Sequence, residues 1–234
     1  FLNDRSEKMN FSRAAFKAYD IRGRVPAELN NELVYRIGRA FVKQLGAKKV
    51  VVGRDVRLSS ESLAQSLIKG LTDGGCDVLD IGLCGTEQVY FATFHLETDG
   101  GIMVTASHNP MDYNGLKLVK SGSRPISGDS GLREIEEQAV TGQFSMPATG
   151  TTGTVTAINI MEDYISHLLS YVTLSELEPL KLVVNAGNGC AGPVLDALEQ
   201  RLPFSFVKVH HKPDGTFPHG IPNPLLPENR EATA

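Results

Sequence analysis

The chain has 234 residues, of which 41% are hydrophobic and 21% charged, and its formal net charge is -4 at pH 7. This length and composition favour one large or two moderate globular domains with a packed core. Because the charge is slightly negative and no block of like charges occurs, we expect neither nucleic acid nor a membrane surface as a partner.

The cysteines and the apolar runs indicate the cellular compartment in which the protein is expected. Cys76, Cys84 and Cys190 show neither C-x-x-C spacing nor an even count, which argues against a disulfide framework or a zinc site. No apolar run approaches membrane-spanning length, and the amino terminus lacks the regions of a signal peptide. We therefore expect a cytoplasmic protein and treat residues 1–15 as an amino-terminal extension.

Helix and strand patterns alternate through the first part of the chain, which predicts a mixed α/β sheet. The predicted elements, in chain order, are a helix over residues 33–45 stopped by Gly46, a strand at 49–53, a helix capped by Ser60 that carries Leu63, Leu67 and Leu71, a strand at 77–81, a helix capped by Thr86, strands at 101–104 and 116–119, and a helix around Leu132, Ile135 and Ala139.

Residues 141–153 are rich in small residues and turn formers, so they form the predicted linker, with a domain boundary near residue 150. Beyond it the patterns predict a second α/β unit. Its predicted elements are a helix carrying Tyr164, Ile165, Leu168, Leu169 and Val172, a strand at 182–184, a helix around Val194, Leu195 and Leu198, and a strand at 204–207.

The most informative sequence is TASHNP at residues 105–110, followed by YNGLK at 113–117. Turn formers separate two strand patterns here, so Ser107 is expected in an exposed loop between paired strands. A serine oxygen is a weak nucleophile unless it is activated, and His108 or Lys117 could assist it. The arrangement favours phosphoryl chemistry. The alternative is an ordinary loop, because neighbouring side chains on extended backbone point to opposite faces and would not form a Ser-His pair.

Other candidate motifs are weaker. The G-x-S-x-G elbow, the P-loop and the H-E-x-x-H helix are absent from the sequence. The GNGCAG run at residues 187–192 could cradle phosphate at a helix start, but a tight turn is the favoured interpretation. The remaining residues considered are interpreted as surface histidines or packing side chains: His210, His211 and His219, and Cys84 and Tyr90.

The serine loop resembles the phosphoserine loop of the α-D-phosphohexomutases, and specifically of their bacterial phosphomannomutase branch. FKAYDIRG at residues 16–23 matches the family's substrate-facing segment, and GRDVR at 53–57 its second arginine loop. NAGNG at 185–189 and PDGTFP at 213–218 resemble the opening of the second domain. The resemblance implies a three-layer, mixed-sheet first domain at 16–150 and an incomplete second α/β domain at 151–234, which ends before the family's metal-binding Asp-x-Asp-x-Asp-Arg loop.

The resemblance also implies an activity, the interconversion of mannose 6-phosphate and mannose 1-phosphate through a phosphoserine and a bisphosphorylated sugar. Such enzymes supply GDP-mannose for surface polysaccharide. An amino-terminal fragment of this kind is expected to be inactive alone. Two alternatives stay open: a phosphoglucomutase or phosphoglucosamine mutase, and a non-catalytic phosphosugar-binding fragment.

The resemblance assigns roles to residues of this chain. Ser107 would carry the phosphoryl group and contribute a phosphate oxygen to Mg²⁺, whose other ligands would lie beyond residue 234. Lys117 and Arg22 would form the acid-base and charge-stabilising pair, and His108 would hydrogen-bond the sugar or phosphate. A sugar bisphosphate would act as activator, and the oligomeric state is left open. The expected substrate-binding residues are Tyr19, Arg22, Arg54, Arg57, Asn114 and Lys117.

Overall fold

The computed structural model describes residues 11–142, 144 and 150–234. Most of the predicted amino-terminal extension, and residues 143 and 145–149 of the predicted linker, lie outside the described residues.

The described chain alternates strands and helices, as the sequence pattern predicts. The strands are β1 Ile21–Arg24, β2 Lys49–Arg54, β3 Asp77–Leu83, β4 Gly100–Val104, β5 Tyr113–Lys120, β6 Arg124–Pro125, β7 Val155–Ala157, β8 Lys181–Asn185 and β9 Ser205–Val209. The α-helices are α1 Asn31–Leu45, α2 Ser60–Asp73, α3 Thr86–His95, α4 Arg133–Thr141, α5 Met161–Leu169 and α6 Ala191–Glu199.

Seven of the described strands form one mixed sheet in the order β1-β5-β4-β2-β3-β7, with β6 beside β5. β4, β2, β3 and β7 are parallel, whereas β5 is antiparallel to both β4 and β1. The loop of residues 105–112 therefore reverses the chain at the carboxyl end of β4. Because β2 lies parallel beside β4, the loop that follows β2 emerges at the same edge.

Side-chain alternation along the strands creates two cores. Val50 and Val52 face one side of the sheet, where α1, α2 and α4 pack. Val51 and Met103 face the other, where α3 and α5 cover them. Strands covered on both faces read as continuous apolar runs, which explains the Val-Val-Val of β2. The predicted three-layer mixed α/β fold is confirmed.

Several predicted details are wrong, for local reasons. Ser60 and Thr86 are the first residues of α2 and α3 rather than their caps, and the N-cap positions belong to Ser59 and Gly85. The hydroxyl of Ser60 is engaged by an aspartate instead. Helix α5 ends before Val172, and β1 was not predicted because its four residues are too short and polar to show a strand pattern.

The sheet of the first unit continues past residue 150, where the domain boundary was predicted. β7 pairs in parallel with β3, and Ile160 and Tyr164 from the region of α5 pack in the second core with Phe91. β7 therefore belongs to the first sheet although it lies beyond residue 150. Where the second unit begins stays a prediction.

The second unit contains β8 and β9, which pair in parallel, and α6 between them. After β9 the chain runs through turns and short helical segments to residue 234. Among the helices in the described part of the chain, none combines the length and apolar character needed to cross a bilayer.

Helices α1 and α2 cross at two glycines. A Cβ atom on Gly70 would lie 2.1 Å from the carbonyl oxygen of Tyr35, and one on Gly38 would lie 2.7 Å from the carbonyl oxygen of Leu67. These separations are far below van der Waals contact, so the two backbones approach as closely as they do only because both positions lack a side chain.

We predict that Gly70→Ala destabilises the protein by about 1–3 kcal/mol through overpacking against Tyr35. Helix propensity alone predicts the opposite sign, a gain of about 1 kcal/mol from replacing a mid-helix glycine by alanine. Urea unfolding decides between them. Gln65→Ala, at an exposed position of the same helix, is the matched control and should change stability by less than about 0.5 kcal/mol. An unchanged or raised stability of Gly70→Ala would show that the helices can separate at no cost.

Candidate active site

The site is built around the loop that joins β4 to β5. Its first side chain, Thr105, is buried, and its next residues bring Ser107 and His108 to the surface. The prediction that Ser107 lies in an exposed loop between paired strands is confirmed. Ser107 has φ 54°, a left-handed conformation that is uncommon for a residue other than glycine. Such a conformation persists only when surrounding contacts impose it.

The side chain of Arg57 supplies four of those contacts. Its Nη2 donates to the carbonyl oxygens of Ser107 at 2.7 Å and Asn109 at 2.6 Å. Its Nη1 donates to the carbonyl oxygens of Pro110 at 2.8 Å and Tyr113 at 3.0 Å. The planar guanidinium thus fixes the course of the whole loop.

Arg57 was predicted to bind substrate, and the structure gives it a different place. Its side chain is only 1% exposed, and its terminal nitrogens are already occupied by the loop carbonyls. Burial lowers the pKa of the guanidinium, while the nearby carboxylate of Asp55 opposes that shift and Arg22 adds to it. Arg57 therefore supports the serine loop from beneath, and its predicted contact with substrate stays a prediction.

Asp55 connects the same loop to α2. Its Oδ2 accepts from the hydroxyl of Thr105 at 2.6 Å, and that hydroxyl oxygen accepts from the backbone N–H of Ser107 at 2.9 Å. The Oδ1 atom of Asp55 accepts from the hydroxyl of Ser60 at 2.5 Å and from the backbone N–H of Arg57 at 3.0 Å. The carboxylate of Asp55 thus positions both the serine loop and Arg57, which binds the carbonyl oxygens of that loop.

Asn114 was also predicted to contact substrate, and the structure places its side chain among groups of the protein itself. The residue is fully buried, and its amide nitrogen donates to the hydroxyls of Ser59 at 2.8 Å and Ser60 at 2.9 Å. Its side-chain oxygen accepts from the backbone N–H of Gly115 at 2.8 Å. With these bonds made, Asn114 ties β5 to the start of α2.

Arg22 and Lys117 meet at a shared carboxylate. Arg22 lies on β1 opposite Gly115, and Lys117 lies two residues further along β5, so both project from the same face. The Oδ2 atom of Asp20 lies 2.7 Å from Nη2 of Arg22 and 3.8 Å from Nζ of Lys117. The side chain of Asp20 is 16% exposed. The structure therefore brings the two predicted cations together, as a pair held by an aspartate.

His108 lies next to the predicted carrier. Its Nδ1 is 3.3 Å from Oγ of Ser107. The expectation that consecutive side chains would point apart was wrong, because the left-handed backbone at Ser107 breaks the alternation of extended chain. A histidine within hydrogen-bonding reach can donate to an oxygen on that serine.

The two remaining predicted substrate residues differ in their surroundings. Nε of Arg54 lies 2.5 Å from Oε2 of Glu61, and its Nη1 lies 3.7 Å from Oδ1 of Asp80, so its charge is partly balanced within the protein. Tyr19 is 81% exposed, just ahead of β1. The substrate-binding roles of both residues stay predictions.

The described residues do not fit a Mg²⁺ site by themselves. Within 11–142, 144 and 150–234, no three or more His, Cys, Asp or Glu side chains are grouped so that they could hold a metal ion. Asp20 and Asp55, the carboxylates of the site, are engaged by cations and hydroxyls. Asp55 uses both carboxylate oxygens and Asp20 uses Oδ2, so these two side chains do not supply the six oxygen ligands that Mg²⁺ coordination requires.

The weaker motifs have structural roles. A Cβ on Gly187 would lie 2.2 Å from Cβ of Pro222, and one on Gly192 would lie 2.1 Å from the carbonyl oxygen of His211. Close packing therefore accounts for these glycines without a bound anion. Cys84 is buried as predicted, and Tyr90 is partly buried.

Three residues of the site were missed as functional candidates: Asp20, Asp55 and Thr105. Asp20 and Asp55 each stand two positions before an arginine, giving the pattern Asp-x-Arg twice, and that repeated pattern was the available signal. Thr105 offered no comparable signal, because a hydroxyl that bridges a carboxylate to a loop N–H is defined only by the folded backbone.

Comparison with known proteins gives a consistent result along the chain. Residues 13–146 match the model of the phosphoglucomutase/phosphomannomutase alpha/beta/alpha domain I, and residues 162–234 match that of domain II. A phosphomannomutase of Salmonella montevideo is 59% identical over 223 residues, covering 93% of this chain and 49% of that protein. A Xanthomonas campestris protein described as phosphohexose mutases is 58% identical over 224 residues, covering 94% of this chain and 49% of its own.

A solved structure agrees at the level of the backbone. The phosphoglucomutase/phosphomannomutase family protein of Burkholderia thailandensis superposes with a TM-score of 0.85 at 36% identity, covering 95% of this chain and 49% of that chain. The chain spans about half the length of the curated relatives it matches.

We predict that Arg57→Lys lowers the free energy of unfolding by about 2 kcal/mol or more, because an ammonium group cannot serve four divergent carbonyls and leaves buried acceptors unpaired. Arg24→Lys, at a side chain that is 60% exposed, is the matched control and should stay within about 0.5 kcal/mol. Urea unfolding measures both. Equal stability of the two variants would mean that the loop carbonyls find other donors.

Proposed function

The chain belongs to the phosphoglucomutase/phosphomannomutase family, and we propose that it forms part of a longer phosphomannomutase that interconverts mannose 6-phosphate and mannose 1-phosphate through a phosphorylated Ser107. The observation that carries the proposal is the presentation of Ser107. Its hydroxyl is exposed on a loop whose backbone is held by Arg57 and Thr105. A carrier group must be accessible and fixed in position, and both conditions are met here.

The charges around the loop suit phosphoryl transfer. Such a reaction needs little covalent participation from the protein but requires neutralisation of the charge that spreads over the phosphoryl oxygens. Arg22 and Lys117 supply two positive charges side by side, and Asp20 holds them together. His108 supplies a nitrogen close to Oγ of Ser107.

In the proposed reaction, a sugar hydroxyl oxygen attacks the phosphorus atom carried by Ser107. The bond between phosphorus and Oγ breaks, the hydroxyl proton passes to a basic group of the site, and Oγ takes up a proton. The product is a sugar bisphosphate, which reorients and returns its other phosphoryl group to Ser107 by the reverse steps. Lys117 and Arg22 act as the acid-base and charge-stabilising pair, and His108 hydrogen-bonds the transferring group.

The choice of mannose phosphate rests on the relatives that are described as phosphomannomutases at 55–59% identity. Mg²⁺, an activating sugar bisphosphate, a cytoplasmic location and a place in GDP-mannose supply belong to the same proposal. The described residues do not form a Mg²⁺ site, and the roles given to Arg22, His108 and Lys117 do not require them to bind the ion. The 234-residue chain alone is expected to be inactive, because the relatives are about twice as long.

A mutase acting on glucose or glucosamine phosphates is the nearest alternative, since the family description covers phosphoglucomutases as well. Values of kcat/KM of the full-length protein for mannose 1-phosphate and glucose 1-phosphate separate these two. A non-catalytic phosphosugar-binding protein would bind both sugars and turn over neither.

We predict that Ser107→Ala abolishes mutase turnover in the full-length protein and leaves the fold intact, because the variant has no oxygen to carry the phosphoryl group. A coupled assay that follows mannose 6-phosphate measures turnover, and peptide mass analysis of the wild type should find phosphate on Ser107. Ser121→Ala, in an exposed turn after β5, is the control and should keep wild-type rates. Normal turnover by Ser107→Ala would remove the proposed mechanism.

We predict that Lys117→Ala or Arg22→Ala lowers kcat by about 10²-fold or more, since both charges act on the transition state. Lys120→Ala, on the same strand, is the control. Steady-state kinetics with circular dichroism as a folding check measure the effect. If either site variant turned over at the wild-type rate, the replaced side chain would have no role in catalysis.

A further inference from the structure

The second unit contacts the serine loop through Arg57. Phe217, from the turn after β9, is only 7% exposed, and its ring centroid lies 5.5 Å from the central guanidinium carbon of Arg57. That distance is within the range of a cation–π contact. The residue that clamps the Ser107 loop from one unit is thus covered by an aromatic ring from the other.

Three hydrogen bonds hold the turn that carries Phe217. Asp214 accepts through Oδ1 from the backbone N–H of Thr216 at 2.9 Å and from its hydroxyl at 2.7 Å, and the N–H of Phe217 donates to the carbonyl oxygen of Asp214 at 3.1 Å. Phe217 has φ 45°, so the turn holds a bulky residue in the left-handed region. A strained backbone conformation of this kind persists only where surrounding contacts impose it.

The same turn touches the arginine loop directly. A Cβ atom on Gly215 would lie 2.0 Å from the carbonyl oxygen of Val56, the residue just before Arg57. Only glycine permits this approach. Backbone contact at Gly215 and ring contact at Phe217 therefore fix the turn over Arg57 at two adjacent points.

We propose that Phe217 is a positioning residue, which shields the guanidinium of Arg57 from water and thereby makes the geometry of the Ser107 loop depend on docking of the second unit. The consequence for phosphoryl transfer rests on the proposed function. Hydrogen bonds from Arg57 to the loop carbonyls strengthen when water cannot compete for the same donors. With the ring removed, water reaches Arg57, and the loop opens more often.

The coupling has a functional meaning. The carrier serine would be held in its reactive position only while the second unit is docked against the first. Movement of the second unit would loosen the serine loop without any change in the sheet beneath it. Phe217 is the one side chain of the described second unit for which a ring contact with Arg57 is observed.

Hydrogen exchange in the full-length protein tests the proposal, with the variants Phe217→Ala and Phe217→Leu. The reporters are the backbone amides of Ser107 and Asn109, which donate inside the loop. We expect Phe217→Ala to speed their exchange by roughly threefold to thirtyfold, the range that corresponds to one cation–π contact. Phe217→Leu, which keeps an apolar cover without the ring, should fall between Phe217→Ala and the wild type. Phe204→Ala, at an aromatic residue of the second unit that stacks edge-on with Phe206, should leave both amides unchanged.

Kinetics provide the second readout. A positioning role predicts that kcat decreases from the wild type to Phe217→Leu to Phe217→Ala, the order in which protection of the loop amides decreases. KM for the sugar phosphate should change by less than about twofold, since no substrate contact is lost. Unchanged exchange at Ser107 and Asn109 in a folded Phe217→Ala protein would overturn the proposal, and if that variant does not fold, unchanged exchange in Phe217→Leu would do the same. Faster exchange in a protein that turns over no phosphosugar would support the contact and reject the proposed function, so the two failures are distinguishable.

Discussion

The buried guanidinium of Arg57 is the feature on which the site depends. It holds four carbonyl oxygens of one loop, and the Oδ2 atom of Asp55 lies 3.5 Å from its Nε. Burying a charge is costly unless hydrogen bonds and a counter-charge compensate. Here the compensation comes from the loop itself, so the loop and the arginine stabilise each other. The hydrogen bonds from Arg57 to the loop carbonyls hold Ser107 in its left-handed conformation.

The sheet explains why these groups meet. β2 and β4 are parallel neighbours, and the register places Arg54 opposite Val104. The chain leaving β2 therefore runs beside the chain leaving β4, which brings Asp55 within reach of Thr105. α/β proteins bind ligands at the carboxyl ends of parallel strands for this geometric reason. β5 and β1 then add Lys117 and Arg22 from the antiparallel side of the same sheet.

Much of this arrangement was predictable from sequence, and the exceptions share a cause. Alternation of apolar residues located the helices and central strands, and the turn formers around Ser107 located its loop. Sequence could not show that Arg57 and Asn114 point inward, because an arginine or asparagine after a strand can face either solvent or a buried cluster of backbone carbonyls and hydroxyls. The argument against a pairing of Ser107 with His108 failed because it assumed extended backbone, whereas Ser107 is left-handed. β1 was missed because tertiary pairing with β5, and not local propensity, makes it a strand.

The most direct test of the account is a single-turnover transfer from the serine. The full-length protein would be labelled with radioactive phosphate on Ser107, freed of excess label, and mixed with mannose 1-phosphate. The account predicts that label leaves the protein and appears in a mannose bisphosphate before it appears in mannose 6-phosphate. Label that stays on the protein, or that leaves it only as inorganic phosphate, would contradict the assignment of Ser107 as a phosphoryl carrier.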